Sequence, residues 1–234
     1  MEVINGVPIK VVLVGDATAS TRGGWGAGFC AVMTRNVTCV DDALEGRSAK
    51  RFIDEGAWNK ARSERGDYYL IQFGRDDRDP EGSFKDYLQR YISDVEAIGA
   101  VPVLVTPLSS RTIGDRKGTD DLKQYATATK EVGSKGLITV LDLNAMSSAM
   151  LNRMTQEDAD KLYRHADPIA VKSASGASEH AITATSSDLG RQPTGVGRMQ
   201  LSPNGQNVFG RMVADQLART LVELGPDVIG EPQP

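Results

Sequence analysis

Residues 10–20, KVVLVGDATAS, carry an apolar run that stops at Gly15-Asp16 and gives way to small and hydroxylated residues. A short run that is apolar on both faces reads as a strand buried on both sides, as in a parallel sheet. Gly-Asp followed by a small residue at the tightest point of the bend has the layout of a turn that presents a nucleophile. The residue at that point is Ala17, and a methyl group cannot attack anything.

Four more segments of the same kind follow: Val37–Val40, Tyr68–Phe73, Val101–Thr106 and Leu137–Leu143, with the first strand at Lys10–Gly15. Helical patterns fill the gaps at Trp25–Thr34, Ser48–Glu64, Ser83–Ile98, Asp120–Val132, Ala145–His165 and Asn204–Leu224. Gly66, Gly99 and Gly136 stand just before strands, where helix C-caps belong. Strands alternating with helices predict a single three-layer α/β/α domain around a five-stranded parallel sheet, doubly wound in the flavodoxin manner. The domain is expected over residues 1–225, with a frayed tail at 226–234. Residues 167–199, rich in Ser, Ala, Thr and Gly, read as a long irregular loop, functional or mobile.

The chain has 234 residues, 40% hydrophobic and 25% charged, with a formal charge of −4. Such an acidic balance argues against nucleic-acid and membrane-surface partners. The opening MEVINGVPIK lacks the pattern of a signal peptide, so a cytoplasmic protein or an exported one without its signal is expected. Cys30 and Cys39 are read as buried free thiols in preference to a disulfide, and Asn36-Val37-Thr38 is only a formal sequon. Trp25 and Trp58 sit in helical patterns and are expected in the core.

In a parallel sheet, ligands bind beyond the carboxyl ends of the strands. There stand Asp16-Ala17-Thr18, Asp41-Asp42-Ala43-Leu44-Glu45-Gly46-Arg47-Ser48, and Gly74-Arg75-Asp76-Asp77 after Phe73. Leu201-Ser202-Pro203-Asn204-Gly205 opens the last helix. With these blocks in this order, the chain resembles the SGNH (GDSL-type) hydrolases, in particular their rhamnogalacturonan acetylesterase-like branch. The family patterns are Gly-Asp-Ser-Thr, Asn-x-Ala-x-x-Gly-Arg-Ser, Phe-Gly-His-Asn-Asp, and Asp-x-x-His before Leu-Ser-Pro-x-Gly. The likeness covers residues 9–222.

The resemblance implies a serine nucleophile, a histidine base, an aspartate that orients it, and an oxyanion hole of two backbone N–H groups and an asparagine. Onto those positions fall Ala17, Gln200, Gly197, Gly46 and Asp76, and only Gly46 and the Ala17 N–H keep their roles. Gln200 cannot take up a proton, Gly197 cannot orient a base, and an ionised Asp76 would oppose an oxyanion. Asp16, Thr18, Arg75, Asp77, His180 and Arg198 are the expected ligand-binding residues, Thr18 being read chiefly as a turn residue. His165 is read as the cation at a helix end, and Ser20 as a spare hydroxyl near the turn. The clustered Asp16, Asp41, Asp42, Asp76 and Asp77 are expected to pair with Arg47, Arg75, Arg78 and Arg198 instead of holding a metal. No cofactor is expected.

The reading is a pseudoenzyme that binds an acetylated or pectic oligosaccharide, or a protein partner. The alternative is an active or altered-chemistry esterase hydrolysing acyl esters on carbohydrate, or an engineered inactive variant of one.

Overall fold

The structure, a computed structural model, describes residues 7–77, 81–109, 122–164 and 200–230. Its strands are β1 (Ile9–Gly15), β2 (Val37–Asp41), β3 (Tyr68–Gln72), β4 (Val101–Val105) and β5 (Thr139–Leu141). All pair in parallel, in the order β2-β1-β3-β4-β5. This is the flavodoxin-like order, reversing beside β1, where the loops after β1 and β3 diverge to opposite faces.

Alternation along β1 builds both halves of the core. Val11 and Leu13 face a cluster containing Trp25, Phe29, Phe209 and Leu217, drawn from around α1 (Gly26–Ala31) and α8 (Pro203–Thr220). Val12 and Val14 face the other cluster, with Phe52, Trp58, Phe73, Phe84 and Tyr91. That side is covered by α2 (Ala49–Asp54), α3 (Ala57–Ser63), α4 (Glu81–Glu96) and α5 (Lys123–Gly136). Tyr91 lies at its centre, 4.7 Å from the Trp58 ring and stacked on Phe73 at 5.2 Å. Both tryptophans are buried, as expected from their helical patterns.

Two expected helices are each two. Gly56, with φ at 81°, stops the first after Asp54 and opens α3. The second is α6 (Leu143–Arg153) and α7 (Gln156–Asp160), separated where Met154 turns extended and Thr155 caps the next turn. Of the three expected glycine caps, Gly99 adopts a left-handed conformation, with φ at 75°. At the other two breaks the left-handed residues are Arg65 and Leu137, at 50° and 54°. Gly66 is glycine for another reason: a Cβ there would lie 2.5 Å from Val12 Cγ2.

The chain end also departs from expectation. Residues 226–230 are not frayed: Ile229 N donates to Val32 O at 2.7 Å, and Asp227 Oδ1 accepts from Thr34 Oγ1 at 2.7 Å. Asn36 is buried against the same segment, its Nδ2 donating to Val7 O and Asp227 Oδ1, which leaves the sequon amide committed. Cys30 and Cys39 are not free thiols but a disulfide, because α1 runs back beside β2 and brings their Cα atoms to 6.0 Å. The expected loop at 167–199 lies outside the described residues. Among the described residues, no helix is long and apolar enough to cross a membrane.

Candidate functional site

The turn after β1 is fixed from within. Asp16 Oδ1 accepts from Thr18 N at 2.8 Å and Thr18 Oγ1 at 2.7 Å. The Thr18 hydroxyl also accepts from Gln72 Nε2, and Gln72 Oε1 takes the Trp25 indole N–H at 2.6 Å. A Cβ at Gly15 would collide with the Gln72 carbonyl. The end of β3 and the start of α1 therefore set the bend that carries Ala17.

Beyond the bend lies a cleft of about 320 Å³. Ala17, Ser20, Arg22 and Gly23 line it from the loop after β1, Ala43, Leu44 and Glu45 from the loop after β2, and Gln200 from the approach to α8. Gln200 is held on both sides: its carbonyl accepts from Arg164 N at 2.8 Å, and Leu201 N donates to Gly23 O at 2.9 Å. Ser202 then caps α8, accepting from Gly205 N at 3.1 Å. Residues 17 and 200, distant in sequence, thus line one cavity.

Gly46 follows the cleft-lining Glu45 with φ at 70°, and its carbonyl accepts from Arg51 Nη1 at 3.3 Å. Arg75 and Asp76 are half-buried beyond β3, close enough for both charges to act on Asp16. Three residues expected to face a ligand point inward instead. Asp16 and Asp77 are both 0% exposed and Thr18 is 3% exposed. Asp77 Oδ1 accepts from Ala49 N at 3.0 Å and Oδ2 from Gly74 N at 2.9 Å, so this carboxylate joins α2 to the loop after β3. Gly197, His180 and Arg198 lie outside the described residues, as do His165 and Arg78.

Among the described residues, Asp41, Asp42 and Arg47 take partners other than those expected. Asp41 Oδ2 accepts from Ser20 Oγ, Thr21 N and Thr21 Oγ1, with Arg22 Nε at 3.9 Å. Asp42 binds Lys60, whose ammonium is held above the usual lysine range chiefly by that hydrogen bond. Arg47 pairs with Glu55 at 2.6 Å. At Asp41, backbone and hydroxyl donors lie nearer the carboxylate than the Arg22 side chain does.

Asp16 is the electrostatic exception. Its Oδ2 is buried and, among the described residues, has no hydrogen-bond partner. Burial pushes its carboxyl above the ordinary carboxylate range and the Asp76 charge adds to this, while the Thr18 donors and the Arg75 charge act the other way. Cleft residues that the sequence did not single out are Arg22, Gly23 and, as individuals, Leu44 and Glu45. The last two fall in the block after β2 and were legible by position; Arg22 carried no signal.

No family model matches the chain. It is 29% identical over 171 residues to rhamnogalacturonan acetylesterase RhgT of Bacillus subtilis, covering 67% of this chain and 74% of that protein. It is 26% identical over 172 residues to the probable rhamnogalacturonan acetylesterase YesY of the same organism, covering 66% and 78%. Among solved structures, protein YXIM of B. subtilis matches with a TM-score of 0.67 at 18% identity, over 92% of this chain and 57% of that one. The chain thus spans little more than half of YXIM. A putative G-D-S-L family lipolytic protein from Desulfitobacterium hafniense matches at 0.58 and 16% identity, over 89% of this chain and 99% of that one. The acetylxylan esterase Axe2 of Geobacillus stearothermophilus also gives 0.58, at 13% identity, over 92% and 94%. The fold is that of the SGNH/GDSL hydrolases, and the sequence likeness leads to their rhamnogalacturonan acetylesterase-like members.

Proposed function

We propose that this relative of the SGNH/GDSL-type carbohydrate acetylesterases keeps their cleft as a binding site for acetylated or pectic oligosaccharide and does not cleave esters by the serine–histidine route. One observation supports the reading above all: Ala17 and Gln200 line the same cleft. They stand where the resemblance expects nucleophile and base. A methyl has no lone pair to attack with, and a glutamine amide takes up no proton near neutral pH. Losing either member of such a pair lowers the rate by about 10⁶. Gly46 and the Ala17 N–H would remain to receive a carbonyl oxygen, with Asp76 in place of the third donor.

The relatives' names support a second reading, an active acetylesterase that recruits another base, with His180 the sequence candidate. Hydrolysis of 4-nitrophenyl acetate and of acetylated rhamnogalacturonan fragments decides between them. No turnover above background is expected, whereas clear turnover lost in His180→Ala overturns the proposal and supports the second reading. Binding is read separately as thermal stabilisation: an oligosaccharide at a hundred times its Kd adds about 2.7 kcal/mol, or roughly 5–10 °C. Absence of any glycan-induced shift would leave a protein as the partner to seek.

The positions themselves can be tested by restoration. Ala17→Ser with Gln200→His should yield little activity until Gly197→Asp and Asp76→Asn are added. Full activity from the double change would show that residues 76 and 197 matter less than the resemblance implies.

A further inference from the structure

The Cys30–Cys39 disulfide joins α1 to β2. Within the described sheet β2 is an edge strand, paired only with β1. Two residues beyond Cys39, on the same face of the strand, stands Asp41. Its Oδ2 accepts from Ser20 Oγ at 2.9 Å, Thr21 N at 2.9 Å and Thr21 Oγ1 at 2.6 Å, and its Oδ1 accepts from Ala43 N at 3.1 Å. One carboxylate therefore ties the loop after β1 to the loop after β2, and both loops line the cleft.

The first of these loops is also fastened to α1. Gly24 N donates to Ser20 O at 3.0 Å and Trp25 N to Thr18 O at 2.8 Å. Gly24 and Gly26 leave no room for a Cβ against the Thr18 and Ala19 carbonyls, so helix and loop pack backbone to backbone. The connections close a ring that runs from loop 18–24 through α1, the disulfide and β2 to Asp41, and back to Ser20. Apart from the chain itself, hydrogen bonds at Asp41 close the ring between the loops, and the cross-link from α1 to β2 is covalent and reducible.

We propose that the Cys30–Cys39 disulfide is a redox-set clamp on the cleft: oxidised, it fixes the spacing of the two cleft-lining loops, and reduced, it lets them separate. Opening needs a dithiol as reductant. One thiolate attacks a cysteine sulfur, the other cysteine leaves as a thiolate, and the second reductant thiol resolves the mixed disulfide. The reductant ends as a disulfide, and Cys30 and Cys39 as two thiols. Both cysteines are half-buried, packed against the core cluster around Trp25 and Phe29. The clamp stays closed wherever thiols are kept oxidised.

The bond spans nine residues, and releasing so short a loop is expected to raise local opening roughly ten- to a hundredfold. Hydrogen exchange on the full chain tests this, comparing the oxidised protein, the protein treated with dithiothreitol, and C30S/C39S. Thiol titration in denaturant should find no thiols before reduction and two after. Amides of residues 19–24 and 41–45 should exchange at least about tenfold faster in the reduced protein and in the variant, with β3 and β4 unchanged. Unchanged loop rates after reduction would overturn the clamp. So would equal acceleration in β3 and β4, or unfolding on reduction, since the bond would then hold the whole fold and not the cleft. Two titratable thiols in protein made under oxidising conditions would overturn it as well. If C30S/C39S fails to fold from the outset, the reduced wild-type protein still decides. No ligand enters the experiment, so its outcome is independent of the proposed oligosaccharide binding.

Discussion

Two turns lie side by side at the carboxyl end of the sheet, and each buries an aspartate completely. After β3, Asp77 has a backbone donor on each oxygen, Ala49 N and Gly74 N. After β1, Asp16 has both Thr18 donors on one oxygen and, among the described residues, none on the other. A buried carboxylate with both oxygens occupied is a bracket; one with an oxygen left over is an unfinished site. The difference falls where the cleft is. Asp77 serves the scaffold that holds β3 to α2, while Asp16 directly precedes Ala17 on the cleft wall.

The largest effect should come from removing the bracket. Asp77→Ala leaves the buried Ala49 and Gly74 N–H groups without acceptors, a loss of about 4 kcal/mol and roughly 10 °C in Tm. Urea unfolding measures it directly. A loss below about 1 kcal/mol would erase the distinction between the two turns, because Asp77 would then be no more structural than its neighbour.

Asp16→Asn should act in the opposite direction at neutral pH. The folded-state pKa of Asp16 is raised, so the folded protein holds this proton at pH values where the unfolded chain has released it. Stability therefore falls as pH rises from the ordinary carboxylate value of 3.8 through the folded-state value, then levels off. Asparagine keeps the acceptor for Thr18 and carries no charge. The variant should match the wild type near pH 4 and be the more stable of the two at pH 7. Urea midpoints at the two pH values test this; a variant less stable than wild type at pH 7 would mean that the Asp16 charge is needed in the fold.

These two carboxylates also mark the limit of what the sequence reveals. The strands were legible to within about two residues because runs such as Val11–Val14 are apolar on both faces, and that signal is local. The family resemblance paired Ala17 with Gln200 through two short blocks, Gly15-Asp16-x-Thr18 and Leu201-Ser202-Pro203-x-Gly205, and both residues line the cleft. Whether Asp16 and Asp77 point outward or inward is not a local property. It is settled by Gln72 and Trp25 for the first, and by Ala49 and Gly74 for the second. The disulfide was misread for the same reason, since it depends on α1 returning beside β2. Gly56 was missed as a helix break because a single left-handed residue leaves the apolar periodicity intact on either side.

The smallest predicted effect joins the two turns. Asp76 lies next to the bracket in sequence, yet its charge acts on Asp16. Asp76→Asn removes a like charge and should lower the Asp16 pKa, but burial is the larger cause and persists, so the value should stay above the ordinary carboxylate range. The Asp76 charge is a minor cause beside burial, so the carboxyl carbon of Asp16 is followed by NMR through a pH titration. A lowered but still elevated midpoint would show that the turn after β3 sets the electrostatics of the turn after β1 without touching the cleft. A midpoint that does not move would separate the turns electrically and leave burial alone as the cause. A fall all the way to the ordinary value would mean that the side-chain amide introduced at position 76 has reached Oδ2 of Asp16. In that case the unmatched oxygen beside Ala17 is a place kept for a donor from residue 76, and the restoration of an oxyanion hole should begin at that position.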